Sequence, residues 1–233
     1  MLIEAFTEAL GLITSADADL YEILWLSVKV SLTALAIASL FAMPLGTMLA
    51  IGEFRGKRAV ITFFTAMMGL PPVVVGLFVY LMLSRSGPLG ILELLYTPTA
   101  MVIAQIILIL PIVTSLTYQV IEELNREYRD LFFSLRVAPG RAIFAYLWDA
   151  RYSLLTTILA GFGRAISEVG AVMIVGGNIN HLTRIMTTAI ALETSKGELA
   201  LALALGIVLL TVALLVNAFV MIVKTFAMEK GYV

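Results

Sequence analysis

Residues 161–178 read GFGRAISEVGAVMIVGGN. The stretch is apolar enough to lie in a bilayer, yet it carries Arg164 and Glu168. A charge inside a membrane span costs roughly 2.5–3.5 kcal/mol on an insertion scale and usually marks function. The two charges are four residues apart. On a continuous helix they share one face, about 6 Å apart along the axis, where opposite charges can neutralise each other. If the span starts near Tyr152, Arg164 lies about 18 Å into it and Glu168 about 24 Å. Beside them Ala160, Gly163, Ser167 and Gly170 recur at helical spacing. Such a stripe of small residues suits close helix packing, including packing between two copies of the chain.

The rest of the chain agrees with a membrane setting. It is 61% hydrophobic and 13% charged, against about 25% charged in soluble domains. Five stretches are long enough to cross about 30 Å of hydrocarbon: 23–51, 59–83, 99–118, 152–176 and 201–223. The expected fold class is an all-α integral membrane protein with five transmembrane helices. Pro71-Pro72 inside the second stretch should bend or break it. Residues 1–19 lack Lys and Arg, and so lack the basic start of a cleaved signal peptide. Their apolar residues at Leu2, Phe6, Ala9 and Leu10 predict a short interfacial segment. Residues 20–226 form the transmembrane domain and 227–233 a tail.

Charge placement orients the chain. Ten Lys and Arg fall on the side of the 53–58 and 119–151 connections and the C-terminus, and three (Arg85, Arg184, Lys196) fall on the other. Lys29 and Arg164 lie within spans, and Lys29 can snorkel. Basic loops stay inside, so the N-terminus is expected outside and the C-terminus in the cytoplasm. The net charge of -1 gives no nucleic-acid footprint. The chain has no cysteine, which excludes disulfides and thiolate metal sites. Its one histidine, His181, has no second metal-type ligand beside it, so no metal is expected.

The connection 119–151 is long and balanced in charge. Ile121, Leu124, Tyr128, Leu131 and Leu135 recur three and four apart, which marks one helical face. Pro139-Gly140 reads as a turn. A second amphipathic piece follows with Ile143, Phe144, Leu147 and Trp148. The segment thus reads as helix, turn, helix on the cytoplasmic side. It can dock an apolar ridge into a soluble partner or rest on lipid headgroups. The chain carries no nucleotide site. Gly52–Arg58 (GEFRGKR) has three residues between its glycines where a phosphate-cradling loop needs four, and Arg58 where that loop needs Ser or Thr. Energy must come from a partner or an ion gradient. A gradient-driven carrier commonly shows internal repeats with matched broken spans, and none is visible.

A span, a helix–turn–helix, and then a span reading GRAISEVGAVMIVGGN resemble the permease subunit of binding-protein-dependent ABC importers. Within that family, residues 163–178 and 182–199 (LTRIMTTAIALETSKGEL) are most similar to tungstate and molybdate permeases, tungstate above all. Met43-Pro44-Leu45-Gly46 and Leu70-Pro71-Pro72 resemble the ends and kinks of early spans there. The family's coupling motif, Glu-Ala-Ala, three residues, Gly, nine residues, Ile-x-Leu-Pro, falls on Asp130-Leu131-Phe132, Arg136 and Tyr146–Asp149. Asp130 stands for Glu, Arg136 for Gly, and Trp148-Asp149 for Leu-Pro.

The resemblance implies a type I importer permease fold, present as a homodimer. It implies two cytoplasmic ABC ATPase subunits that hold ATP and Mg, with no cofactor on this chain and no covalent chemistry. It implies an extracytoplasmic oxyanion-binding protein and a place in the prokaryotic cytoplasmic membrane. The ATPase-coupling residues become Asp130, Ser134, Leu135, Arg136, Val137, Ala138, Pro139 and Gly140. Arg164, Ser167 and Glu168 become candidates for the substrate path, with Ala160, Gly163 and Gly170 for helix packing. Asn178, His181 and Arg184 would form an outer mouth, or else an ordinary solvated loop. Sulfate or another solute is the alternative cargo.

Overall fold

The computed structural model describes Thr7, Gly11 and residues 18–230, with side chains described as far as Phe226. The interfacial segment expected over 1–19 lies outside the described residues, apart from Thr7, Gly11, and Ala18 and Asp19, which open the first long helix. Among the described residues, regular structure is all helical. The order is α1 (Ala18–Ile51), α2 (Lys57–Met67), α3 (Pro72–Leu83), a 3-10 turn (Gly90–Leu92), α4 (Pro98–Ser134), α5 (Pro139–Asp149), α6 (Arg151–Ile166), α7 (Gly170–Gly176), α8 (Met186–Lys196) and α9 (Leu199–Lys230).

Helices α1, α4 and α9 are each long and apolar enough to cross a membrane. The second and fourth expected spans are broken. α2 and α3 meet at 97°, and α6 and α7 at 55°. The described residues therefore hold three candidate spans, or up to five if each bent pair counts as one. The α2–α3 break follows from Pro71 and Pro72. Pro71 sits at the N-cap with an extended ψ of 122°, and Pro72 opens α3. Neither ring nitrogen can donate a hydrogen bond, and a proline disfavours helical geometry in the residue before it.

The described residues fall into two compact units. The first comprises Met1–Ala34, Pro71–Gln105 and Gly163–Ala218. In it α3 crosses α7 with their backbones almost touching. A Cβ on Gly76 would lie 2.7 Å from the Ala171 Cα, so only glycine fits there. Val75 and Val79 of α3 and Val172 and Val175 of α7 are buried around that crossing. A second cluster joins Leu20 of α1, Met186 and Ala189 of α8, and Leu205 and Val208 of α9.

The other unit comprises Leu35–Leu70, Ile106–Phe162 and Phe219–Val233. Its core gathers Ala50, Ile121, Ala142, Tyr146, Ala150 and Leu154. Here the structure corrects the reading of the 119–151 segment. Its first helix is not a separate piece. It continues the third span in one 37-residue helix, about 55 Å long at 1.5 Å per residue, well beyond the hydrocarbon thickness. Pro139-Gly140 is not the turn either. Pro139 is the first residue of α5, a position where its missing N–H costs nothing. The turn is residues 135–138. Arg136 adopts the left-handed conformation (φ 49°), while the Val137 N–H donates to the Phe132 carbonyl (3.0 Å) and the Arg136 N–H to the Phe133 carbonyl (3.1 Å). These bonds satisfy carbonyls that the ending helix leaves free. Tyr146 then pins α5 back onto α4. Its hydroxyl donates to Asn125 Oδ1 at 2.8 Å, and its ring packs against Tyr128 and Phe132.

A left-handed backbone costs a residue with a Cβ about 1–2 kcal/mol. Arg136→Gly should therefore stabilise the protein by about 1 kcal/mol, read as a higher unfolding midpoint of the detergent-solubilised chain. A lower midpoint would mean that the arginine side chain makes a contact worth more than the strain.

Candidate functional site

Arg164 and Glu168 do come together, but not on one continuous helix. α6 ends at Ile166, and Glu168 lies in the break before α7. The helix can stop because its loosened backbone groups find other partners. The Ser167 hydroxyl donates back to the Gly163 carbonyl (2.7 Å), and the Glu168 N–H donates to the Ala165 carbonyl (3.2 Å). The Glu168 carboxylate then serves two elements at once. Oε1 accepts from the Ala171 N–H in the first turn of α7 (2.9 Å). Oε2 lies 2.9 Å from the Arg164 guanidinium, close enough to pair though not aligned as a hydrogen bond.

Burial divides the pair unequally. Glu168 is 1% exposed, whereas the Arg164 side chain is 28% exposed. A carboxylate so deeply buried needs its counter-charge. The cation that supplies it still has one side open, so the site presents a partly neutralised guanidinium rather than a bare one. Ala160 is exposed on α6 and Ser167 just past its end, and a Cβ on Gly163 would meet nothing within 4 Å. That part of the expected small-residue stripe is therefore unpartnered among the described residues. Gly170 differs, because a Cβ there would come within 2.9 Å of Val73 Cγ2.

The proposed coupling residues lie at the tip formed by α4, the turn and α5. Asp130, Ser134, Leu135, Arg136, Ala138, Pro139 and Gly140 are exposed, and Val137 is half-buried. Leu131, Phe133 and Leu135 point apolar side chains outward there, Phe133 at 85% exposure.

The residues named as an outer mouth are tied down in different ways. The loop after α7 turns through left-handed Gly177, Asn178 and His181. The Asn178 amide donates to the Thr188 carbonyl (3.4 Å), and the Arg184 guanidinium donates to Asn180 Oδ1 (2.9 Å). His181 Nδ1 lies 2.8 Å from Glu22 Oε2, from the first turns of α1. Asp19 is close by, so three ligand-type atoms lie within 4.8 Å of one another. The fold thus supplies the acidic neighbours that the local sequence around His181 lacks. The Glu22 hydrogen bond, then its charge, then that of Asp19, raise the imidazole above its ordinary 6.5, against some desolvation and Arg184.

Two buried residues outside the sequence-based set hold the break. Gln105 Nε2 donates to the Ala165 carbonyl (3.1 Å), and the Thr187 hydroxyl donates to the Glu168 carbonyl (2.7 Å). Gln105 carried a signal that went unused: it is the lone amide in an apolar run from 99 to 118, and polar groups in spans glue helices together. Thr187 carried none, since it is one hydroxyl among several in its segment.

Removing one partner of a buried ion pair costs about 3–5 kcal/mol. Solvent at Arg164 reduces the expected loss to about 1–3 kcal/mol for Arg164→Gln or Glu168→Gln. The double variant should regain most of that in thermal unfolding of the solubilised protein. Equal losses in all three would refute mutual neutralisation. His181 gives a second check, because with a single histidine in the chain the two ring-nitrogen signals of a nitrogen-15 NMR titration belong to it alone. It should titrate above 6.5 and move down in Glu22→Gln. A raised folded value makes the contact stabilising in full below 6.5 and lost as pH rises through that value. An unshifted titration would dispose of the contact.

Comparison with known proteins places the chain. Residues 42–225 match the family model described as binding-protein-dependent transport system inner membrane component. The Tungstate uptake system permease protein TupB of Peptoclostridium acidaminophilum is 43% identical over 93% of this chain and 95% of its own length. That of Campylobacter jejuni is 37% identical over 93% and 90%. The Sulfate transport system permease protein CysW of Synechocystis is 26% identical over 91% and 77%. With the family model spanning most of its length and its two bent helix pairs built from that matched region, the chain belongs to the inner-membrane components of binding-protein-dependent transport systems.

Proposed function

We propose that this protein is the permease subunit of an ATP-driven importer that carries tungstate into the cytoplasm. The observation that carries this is the 43% identity to a tungstate uptake permease across nearly the full length of both chains. Identity to the sulfate permease is 26% over a smaller share of that protein, which favours tungstate over sulfate. In this reading each bent pair counts as one span, giving five, with the N-terminus outside and the C-terminus in the cytoplasm, as the lysines and arginines favour. Two copies assemble. The exposed apolar tip around Leu131, Phe133 and Leu135 meets a separate ATPase subunit, which binds ATP and Mg and performs the hydrolysis. An extracytoplasmic binding protein delivers the anion.

The site suits passage rather than retention. Conduction requires binding strong enough to enter and weak enough to leave. A bare guanidinium would trap a dianion. One whose charge is offset by Glu168 at 2.9 Å draws an anion in without holding it. The exposed Ser167 and the open Gly163 give the same face a hydroxyl and room.

The test is reconstitution with the partner ATPase and binding protein. Labelled tungstate should accumulate with ATP, and unlabelled tungstate should compete better than molybdate or sulfate. Glu168→Gln should lower uptake about tenfold, equivalent to about 1.4 kcal/mol, while the complex still assembles. Better competition by sulfate would overturn the substrate. Co-purification of the ATPase that survives alteration of residues 130–140 would overturn the docking site.

A further inference from the structure

A break inside a span exposes backbone carbonyls that the bilayer cannot satisfy, so their partners must come from protein. At the α6–α7 break those partners are two buried side chains from other helices. Gln105, 1% exposed, comes from α4 and bonds the carbonyl of Ala165 before the break. Thr187, 6% exposed, is the second residue of α8 and bonds the carbonyl of Glu168 itself. Glu168 is thereby fixed at three acceptors by three elements: Arg164 of α6, Ala171 of α7 and Thr187 of α8.

The three ties differ in what lies behind them. α6 and α7 adjoin the break directly. α8 does not, and it is a separate body of eleven residues. Its start is fixed to α1 through the Met186 N–H, which donates to Ser27 Oγ at 2.8 Å. It is fixed to the preceding loop through Asn178 and the Thr188 carbonyl. Its far end stops at left-handed Gly197 (φ 87°), which turns the chain into α9. A tilt of α8 therefore moves the Thr187 hydroxyl, and the Glu168 carbonyl either follows or loses its donor. Without that donor the main chain at Glu168 is free to turn, and its carboxylate leaves Arg164.

We propose that Thr187 is a positioning residue for anion passage, linking the setting of α8 to closure of the Arg164–Glu168 pair. This rests on the reading that the pair lines the anion path. The pair is closed when Thr187 donates to Glu168. It opens when α8 moves away, leaving a bare Arg164 that holds the anion instead of passing it.

The test uses the reconstituted complex and tungstate as the probe. Thr187→Val keeps the shape and removes the hydroxyl, and Thr187→Ser keeps the hydroxyl. Thr187→Val should cut uptake about three- to tenfold, the rate equivalent of one lost hydrogen bond, and raise the ATP hydrolysed per anion carried. Thr187→Ser should restore both, with complex yield equal in all three proteins. Because Thr187 acts through Glu168, Thr187→Val should add nothing to Glu168→Gln in the double variant. Wild-type uptake in Thr187→Val, additive losses, or a loss that Thr187→Ser does not restore overturns the proposal. Normal uptake in Glu168→Gln overturns the path reading instead, whatever Thr187→Val does.

Discussion

A carboxylate at 1% exposure inside a membrane protein depends wholly on its partners, and the partners of Glu168 explain the shape around it. Its charge calls for Arg164, one helical turn away. Its free oxygen caps the first turn of α7. Its own carbonyl calls for Thr187. Meeting all three at once goes with a broken helix, because in an unbroken one the Ala171 N–H would bond the Ser167 carbonyl and leave Oε1 without its donor. The 55° bend is the geometry in which each group is satisfied. Bilayer physics makes the choice strict, since a lost partner there is not replaced by water.

Once the chain bends between α6 and α7, short α7 needs support that its seven residues cannot provide alone. It obtains it by contact with α3, backbone on backbone at Gly76 and Ala171. Transmembrane helices gain little from hydrophobic exclusion, so small residues that allow close approach take over. α3 is itself the second half of a bent pair. Both breaks therefore feed one packing unit: the proline break turns α3, the glutamate break turns α7, and their small residues meet. By contrast α9 shows Leu210, Leu214, Leu215 and Phe219 outward at 65–68% exposure, the pattern of a helix that faces lipid.

The sequence made some of this legible and hid the rest for physical reasons. Hydropathy located the three helices long enough to cross a membrane and the two bent pairs, because crossing hydrocarbon constrains composition directly. Pro71-Pro72 announced the first break, because proline acts on its own backbone. The spacing of Arg164 and Glu168 announced their pairing, which survives at 2.9 Å. The same spacing concealed the second break, since an i, i+4 pair reads as continuous helix, and nothing local says that Thr187 and Gln105 arrive from 19 and 60 residues away. The neighbours of His181 were hidden likewise, because Glu22 lies 159 residues distant. Periodicity showed two helices in 119–151 but misplaced their joint. Pro139-Gly140 is both a turn signal and a good helix start, and the tie is broken by Arg136 taking the positive φ.

That arginine stands where the expected alignment with the coupling motif has glycine, and it is left-handed with the bonds of a helix C-terminus. Glycine is the cheapest way to hold that conformation, not the sole one. What has to persist is the backbone path that ends α4 and starts α5 within four residues, with Tyr146 closing the pair from behind. Identity can drift at every position of such a turn while its conformation stays. Residues 164–176 have less freedom, because Arg164 and Glu168 hold each other and a Cβ on Gly170 or Gly176 would come within 2.9 Å of Val73 or Met101.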